Sequence, residues 1–290
     1  MNPFDGFVIT SDNTCDMPEE FYLAHDVRLL VLSYTVEGVR YGLGQNMGPK
    51  EFYRKMRGGE MPQTQQATPM QAEEFFEGFL RDGKSVLHIS FSSALSGSYN
   101  SACLAAKELN EKYGEGAVRV VDSRCASMGE GLLLSYAVQM KEAGKTREEI
   151  LSWLEENKLH LCHYFTVDDL NHLHRGGRVS KATAIIGSML GIKPILHVDD
   201  EGRLIPIGKV RGRKQSLDAL VGHMEKLAEG MENPVVFISH GDCEEDALYV
   251  QEQVKKRLHI SNFMVNFIGP TIGTHSGPGT VALFFLGRNR

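Results

Sequence analysis

Short apolar stretches and helix-spaced segments alternate along the first half of the chain, and this alternation constrains the fold more than any other feature. Phe7-Val8-Ile9-Thr10-Ser11 reads as a strand, Pro18 to His25 as a helix opened by proline, and Val27 to Tyr34 as a second strand. Gly48-Pro49 opens a helix carrying Phe52, Tyr53 and Met56. The polar loop Pro62 to Pro69 then leads into a helix with Phe75, Phe76, Phe79 and Leu80. Next come the strand Ser85 to Phe91, a helix with Ala102, Leu104, Ala105, Ala106 and Leu109, the strand Val118 to Asp122, and helices over 131–143 and 147–156. Strands separated by helices predict a mainly parallel sheet covered on both faces, with ligands at the carboxyl ends of the strands.

Near Asn157-Lys158-Leu159 the pattern restarts. A strand over 161–167, a short helix to Arg175, the turn Gly176-Gly177 and a helix over 184–190 precede two strands, 193–198 and 203–210. These flank the turn Asp199-Asp200-Glu201-Gly202 and read as a hairpin. A helix over 216–228, a strand over 234–239, a helix over 245–258 and a strand over 262–268 follow. The expected fold class is α/β in two domains: residues 1–158 around a mainly parallel sheet flanked by helices, and residues 159–290 around a mixed sheet. At 290 residues the chain is long enough to bury two cores of that size.

Composition excludes several functions. A formal charge of -6 and the lack of a basic stripe argue against nucleic acid, whose backbone demands clustered Lys and Arg. Five scattered cysteines, with no C-x-x-C pair, read as reduced thiols. The start of the chain has no charged segment followed by an apolar one, and no apolar run is long enough to span a bilayer, so a cytoplasmic location with at most transient membrane contact is expected.

Two polar clusters stand out. Ser92-Ser93-Ala94-Leu95-Ser96-Gly97-Ser98-Tyr99-Asn100-Ser101 follows a predicted strand and opens a predicted helix, where unpaired N–H groups and the positive end of the helix dipole favour an anion. One serine there is ordinarily a helix cap, but a group of them suits holding an anion. The second cluster, Gly273-Thr274-His275-Ser276-Gly277-Pro278-Gly279-Thr280, reads as a glycine-rich loop in which His275 offers a hydrogen bond or a general base. A hydrolase would pair Ser93 or Ser96 with His275 and borrow Asp12 or Asp122, and it would act on an acyl ester. No G-x-S-x-G elbow supports that arrangement, so binding is favoured over catalysis.

Other motifs carry less. Gly78 to Ser85 matches G-x-x-x-x-G-K-S, but a helix precedes it and a strand follows, the reverse of a phosphate-binding loop. His160, His163, His172 and His174 have no acidic partner at a metal-site spacing and are expected to be surface or core residues. Arg175, Arg178 and Lys181, and again Lys209, Arg211, Arg213 and Lys214, form local basic clusters suited to an oxyanion or an acidic partner.

Several phrases occur in an order that resembles one family. They are Thr10-Ser11-Asp12-Asn13-Thr14-Cys15-Asp16, Phe52-Tyr53, the Thr64 loop, Ser92-Ser93 through Gly97, Val121-Asp122-Ser123, Arg175-Gly176-Gly177-Arg178-Val179-Ser180, Gly191 to Leu196, Lys209-Val210-Arg211-Gly212 and the His275 segment. Over essentially its whole length the chain resembles the DegV family of bacterial fatty-acid-binding proteins. The resemblance implies a lipid carrier and not an enzyme. Its ligand is one long-chain fatty acid lying between the two domains, with no further cofactor and no metal. By position Thr64 and Ser96 are then the head-group ligands, with Ser93, Gln65 and His275 close by. Ile185, Ile186, Met189, Leu190 and Ile192 become candidates for lining the tail, and ordinary core packing accounts for them equally well. Relatives of the FakB type present the fatty acid to a fatty acid kinase, whose acyl phosphate enters phospholipid synthesis, and Arg178 and Arg211 match positions assignable to phosphate or kinase contacts. Two departures are visible: Asn13 and Gln65 stand where the family usually carries serine.

Overall fold

The computed structural model describes residues 4–180 and 191–290. The candidates Lys181, Ile185, Ile186, Met189 and Leu190, and the helix expected over 184–190, lie outside them.

In the first half, β1 (Phe7–Asp12), β2 (Arg28–Leu30), β6 (Ser85–Ser90) and β7 (Val118–Asp122) form a four-stranded parallel sheet in the order β2-β1-β6-β7. Strand β6 is buried along its whole length, as a strand covered on both faces must be. One face is covered by α3 (Pro69–Arg81) and α4 (Ser98–Tyr113), whose Ala72, Phe76, Ala102, Ala105 and Leu109 share a core with Leu30, Val86 and Val118. Helix α3 starts where its sequence dictates: Thr68 and Gln71 close a reciprocal capping box and Pro69 occupies the first turn. The other face receives α5 (Met128–Glu142), which packs on both large sheets and is buried nearly all round.

The second half holds six strands in the order β10-β9-β8-β13-β11-β12: β8 (Leu161–Thr166), β9 (Ile192–Val198), β10 (Leu204–Arg211), β11 (Val236–His240), β12 (Phe263–Phe267) and β13 (Val281–Leu286). Only β11 and β12 run parallel, so this sheet is mixed, and β9 and β10 form the expected hairpin. Helices α8 (Arg213–Leu227) and α9 (Glu244–Leu258) cover its outer face through Leu217, Leu220, Met224, Val250 and Val254.

Two expectations need correction. The strand expected from Val27 to Tyr34 breaks after Leu30, and the chain enters a small antiparallel sheet made of β3 (Tyr34–Val36), β4 (Val39–Tyr41) and β5 (Gln63–Thr64). Asn13 causes the break: its Oδ1 accepts the Leu32 N–H at 2.8 Å and its Nδ2 donates to the Leu32 carbonyl at 3.2 Å, so a side chain takes the place of a neighbouring strand. The segment around His275 is not a loop but the helix α10 (Pro270–Ser276), with Pro270 in its first turn and His275 in its last. Gly269, Gly273 and Gly277 disguised it. Gly273 is required because a Cβ there would overlap the Tyr53 hydroxyl and crowd the Phe52 ring.

The halves meet at Asp16, whose backbone is left-handed (φ 52°). Its carboxylate accepts from Ser127 Oγ at 2.6 Å and from the Gly269 N–H at 3.0 Å, and its carbonyl accepts from Asn266 Nδ2 at 2.9 Å. Burial outweighs these bonds and pushes its pKa up from 3.8 to about 7. Raised in the folded state, the group favours folding when protonated, and that contribution is lost as pH rises through about 7. Asp16→Asn keeps the shape and tolerates positive φ. It should remove this group's share of the pH dependence, so that the stability of the variant relative to wild type rises between about pH 4 and 7 by on the order of 4 kcal/mol in the limit, read from denaturant melts of both proteins across that range. Glu130, which burial and Asp12 also hold well above the carboxylate range, adds a slope of the same sign, and histidines held below their usual range by burial, such as His163 and His240, add slopes of the opposite sign.

Candidate functional site

The carboxyl ends of β1 and β6 face the inner surface of the mixed sheet, and between them lies a cavity of about 910 Å³. Its walls come from both halves: Leu32, Phe91 and Leu95 on one side, Phe165, Ala282 and Phe284 on the other. Thr64, Gln65, Ser96, His275 and Arg178 also line it, while exposed Met61, Gln63 and Arg175 mark its mouth. The structure therefore gathers Thr64, Gln65, Ser96 and His275, which are far apart in sequence, around one space.

Strand β5 holds Thr64 opposite Tyr34, and Thr64 Oγ1 lies 2.8 Å from His275 Nε2. Burial, then the charges of Arg178 and Arg175, lower the His275 pKa to about 4, so the ring is neutral at pH 7. Its Nδ1 has no partner among the described residues and faces Gly176, where a Cβ would overlap it. A proton on Nδ1 would be buried without an acceptor, which assigns the proton to Nε2. The ring then donates to Thr64, and the threonine O–H is left to donate elsewhere.

Ser96 reaches the same state by another route. Its Oγ accepts the Ser98 N–H at 3.2 Å and lies 3.0 Å from Ser98 Oγ, which itself accepts the Ala67 N–H at 3.1 Å. With Ser98 donating onward, both lone pairs of Ser96 are engaged and its own O–H remains. Each of the two hydroxyls then accepts at least one hydrogen bond and keeps its proton available, which suits an acceptor such as an anion.

The remaining candidates are placed as follows. Ser93 is exposed and turned away, its Oγ on Asp122 Oδ2 at 2.6 Å and its N–H on Asp122 Oδ1 at 3.1 Å, so it does not line the cavity. Gln65 lines the wall with its amide fixed by Ser33 (3.0 Å) and Thr35 (3.3 Å). Arg178 puts Nε and Nη2 on the Leu95 carbonyl (3.2 and 2.9 Å) and Nη1 on the Gly176 carbonyl, stitching the serine loop to the backbone beneath His275. Arg211 is exposed at the end of β10 and outside the cavity, and Ile192 is not part of the lining. No serine is hydrogen-bonded to His275 among the described residues, and none of their His, Cys, Asp and Glu side chains form a group of three able to hold a metal. His163 and His172, expected in surface or core roles, both line the cavity. For His163 the signal was present, because it alternates with Phe165 along a strand and so shares its face.

The sequence and the fold recur in known proteins. The family model described as "Uncharacterised protein, DegV family" matches residues 6–288. The chain belongs to the DegV family. A DegV domain-containing protein of Clostridium perfringens is 44% identical over 283 residues, covering 97% of each chain. Among solved structures, a fatty-acid-binding DegV protein of Thermus thermophilus superposes with a TM-score of 0.86 at 29% identity, over 97% of this chain and 99% of that one. DegV of Bacillus subtilis, described as a fatty acid binding protein, gives 0.82 at 29% identity over the same shares. A stearic acid-binding protein of Eubacterium ventriosum gives 0.86 at 26% identity, over 97% and 98%. In this DegV chain the two departures have defined roles: Asn13 bridges Leu32 and Thr271, and Gln65 braces the small sheet. Among the described residues no helix is long and apolar enough to cross a membrane.

Proposed function

We propose that this protein binds one long-chain fatty acid, with its carboxylate on Thr64 and Ser96 and its acyl chain in the cavity between residues 1–158 and 159–290. The observation that carries the reading is the pair of donor-ready hydroxyls at the mouth of a cavity walled behind them by Phe91, Leu95, Phe165 and Phe284. The solved relatives that bind fatty acids support it. Each buried CH₂ contributes about 0.8 kcal/mol, so a long chain supplies on the order of 10 kcal/mol before ordering costs. Hydrogen bonds to the carboxylate add about 1.5–3 kcal/mol each and fix which end faces outward.

A carboxylate held at the mouth is presented to a partner. The partner we infer is a fatty acid kinase, with exposed Arg211 and Arg175 available to its acidic or phosphorylated groups. Arg178 serves the site by positioning its loops. The hydrolase alternative lacks a nucleophile–base pair, since Ser96 bonds Ser98, Ser93 bonds Asp122 and His275 bonds Thr64.

Mass spectrometry of lipid extracted from gently purified protein is expected to return a fatty acid at close to one per chain. Protein that is empty and also takes up no added fatty acid would overturn the reading, and fluorophosphonate labelling of Ser93 or Ser96, abolished by His275→Ala, would replace it with the hydrolase.

A further inference from the structure

The strand register locates the inner end of the cavity. Along β13, Ala282 and Phe284 face inward, and the register sets them beside Phe165 and His163 of β8. Continuing through the pairs Tyr164–His197 and Phe165–Leu196, His163 stands beside Val198 of β9, which pairs with Leu204 of β10. Phe284, His163, Val198 and Leu204 therefore form one row across four strands, and all four line the cavity. Thr280, next to His275's helix, lies four residues back along the chain, roughly 13 Å at the rise of a strand. Phe165 and Ala282 are 7% and 6% exposed, and Phe284, His163 and Val198 in the row beyond them 2%, 2% and 1%. Among the described residues of β8 and β13 none beyond this row lines the cavity, so the row closes it at that end.

His163 is the part of the row that cannot yield. One ring nitrogen, Nδ1, lies 3.2 Å from the Leu161 carbonyl, and the other, Nε2, accepts the Ala126 N–H at 3.3 Å. The ring stands edge-on to Phe284 at 5.3 Å and 82°, and behind it Gly129 leaves no room for even a Cβ. With both nitrogens engaged, the imidazole offers the cavity only carbon edge, which suits a methyl terminus.

We propose that His163 is the end stop of the cavity and sets the longest acyl chain the protein accepts. The proposal rests on the fatty-acid reading above. It is tested with delipidated wild type, His163→Ala and Val198→Ala, titrated with saturated fatty acids of increasing length. In both variants the optimum should move to longer chains, with relative affinity for a chain two methylenes beyond the wild-type optimum rising about tenfold. Val198→Ala, which breaks no hydrogen bond, keeps the test decisive if His163→Ala does not fold. An unchanged length profile in folded variants overturns the end stop while leaving fatty-acid binding intact. Failure of wild type to bind any chain instead overturns the ligand reading.

Discussion

Replacing Thr64 by valine and Ser96 by alanine together is expected to weaken fatty acid binding a hundredfold or more while leaving the fold intact. With His275 donating to Thr64 and Ser98 donating to Ser96, each hydroxyl keeps a proton that the surrounding bonds leave unused. Each bond to a carboxylate contributes about 1.5–3 kcal/mol, so losing both removes at least two powers of ten. The acyl chain keeps its burial, and residual binding persists with a disordered head group. Valine preserves the β-branched shape that pairs with Tyr34 in the small sheet, and Ser98 still caps the Ala67 N–H after Ser96→Ala. Isothermal titration with a delipidated protein measures the effect. Undiminished affinity would mean that the carboxylate lies elsewhere, and equal losses for a fatty acid and its methyl ester would mean that the hydroxyls support the walls and do not grip a charge.

Much of this architecture was legible in the sequence, because strand–helix alternation and period-2 burial are local. The β6 handover into the serine segment, the β9–β10 hairpin and the buried strands all follow from spacing that each segment carries within itself. The failures arose where a distant residue decides local structure. Asn13 ends β2 by capturing the backbone of Leu32, nineteen residues away, and nothing near Leu32 announces it. The glycines around His275 signalled a loop, yet they answer close approaches by Tyr53 and His172 that only tertiary packing creates. Within the serine cluster, sequence placed Ser93 and Ser96 together. Asp122 separates them by holding Ser93 outward, and the tertiary contact of Ser98 with Ala67 turns Ser96 inward.

Gly176→Ala should reduce ligand affinity about tenfold or more while leaving both proposed carboxylate ligands, Thr64 and Ser96, in place. The φ of −72° at Gly176 suits alanine, so backbone strain is not at issue. Space is: a Cβ would overlap Nδ1 of His275 and crowd Cε1 and Cγ, and the neighbouring Gly176 carbonyl is pinned by Arg178. The imidazole must swing off Thr64, taking with it the donor that fills the threonine's acceptor site, or the short helix α7 (Asn171–Arg175) must shift. Overpacking of this kind costs about 1–3 kcal/mol of stability. A double-mutant cycle separates the two consequences. Adding His275→Ala to Gly176→Ala removes the ring that clashes, so stability should recover toward that of His275→Ala alone. Affinity should stay as low as in the single variants, because Thr64 has still lost its partner. If the double variant regains affinity as well as stability, His275 is filler against Gly176. If Gly176→Ala binds as tightly as wild type, the hydrogen bond between His275 and Thr64 does not organise the head-group site.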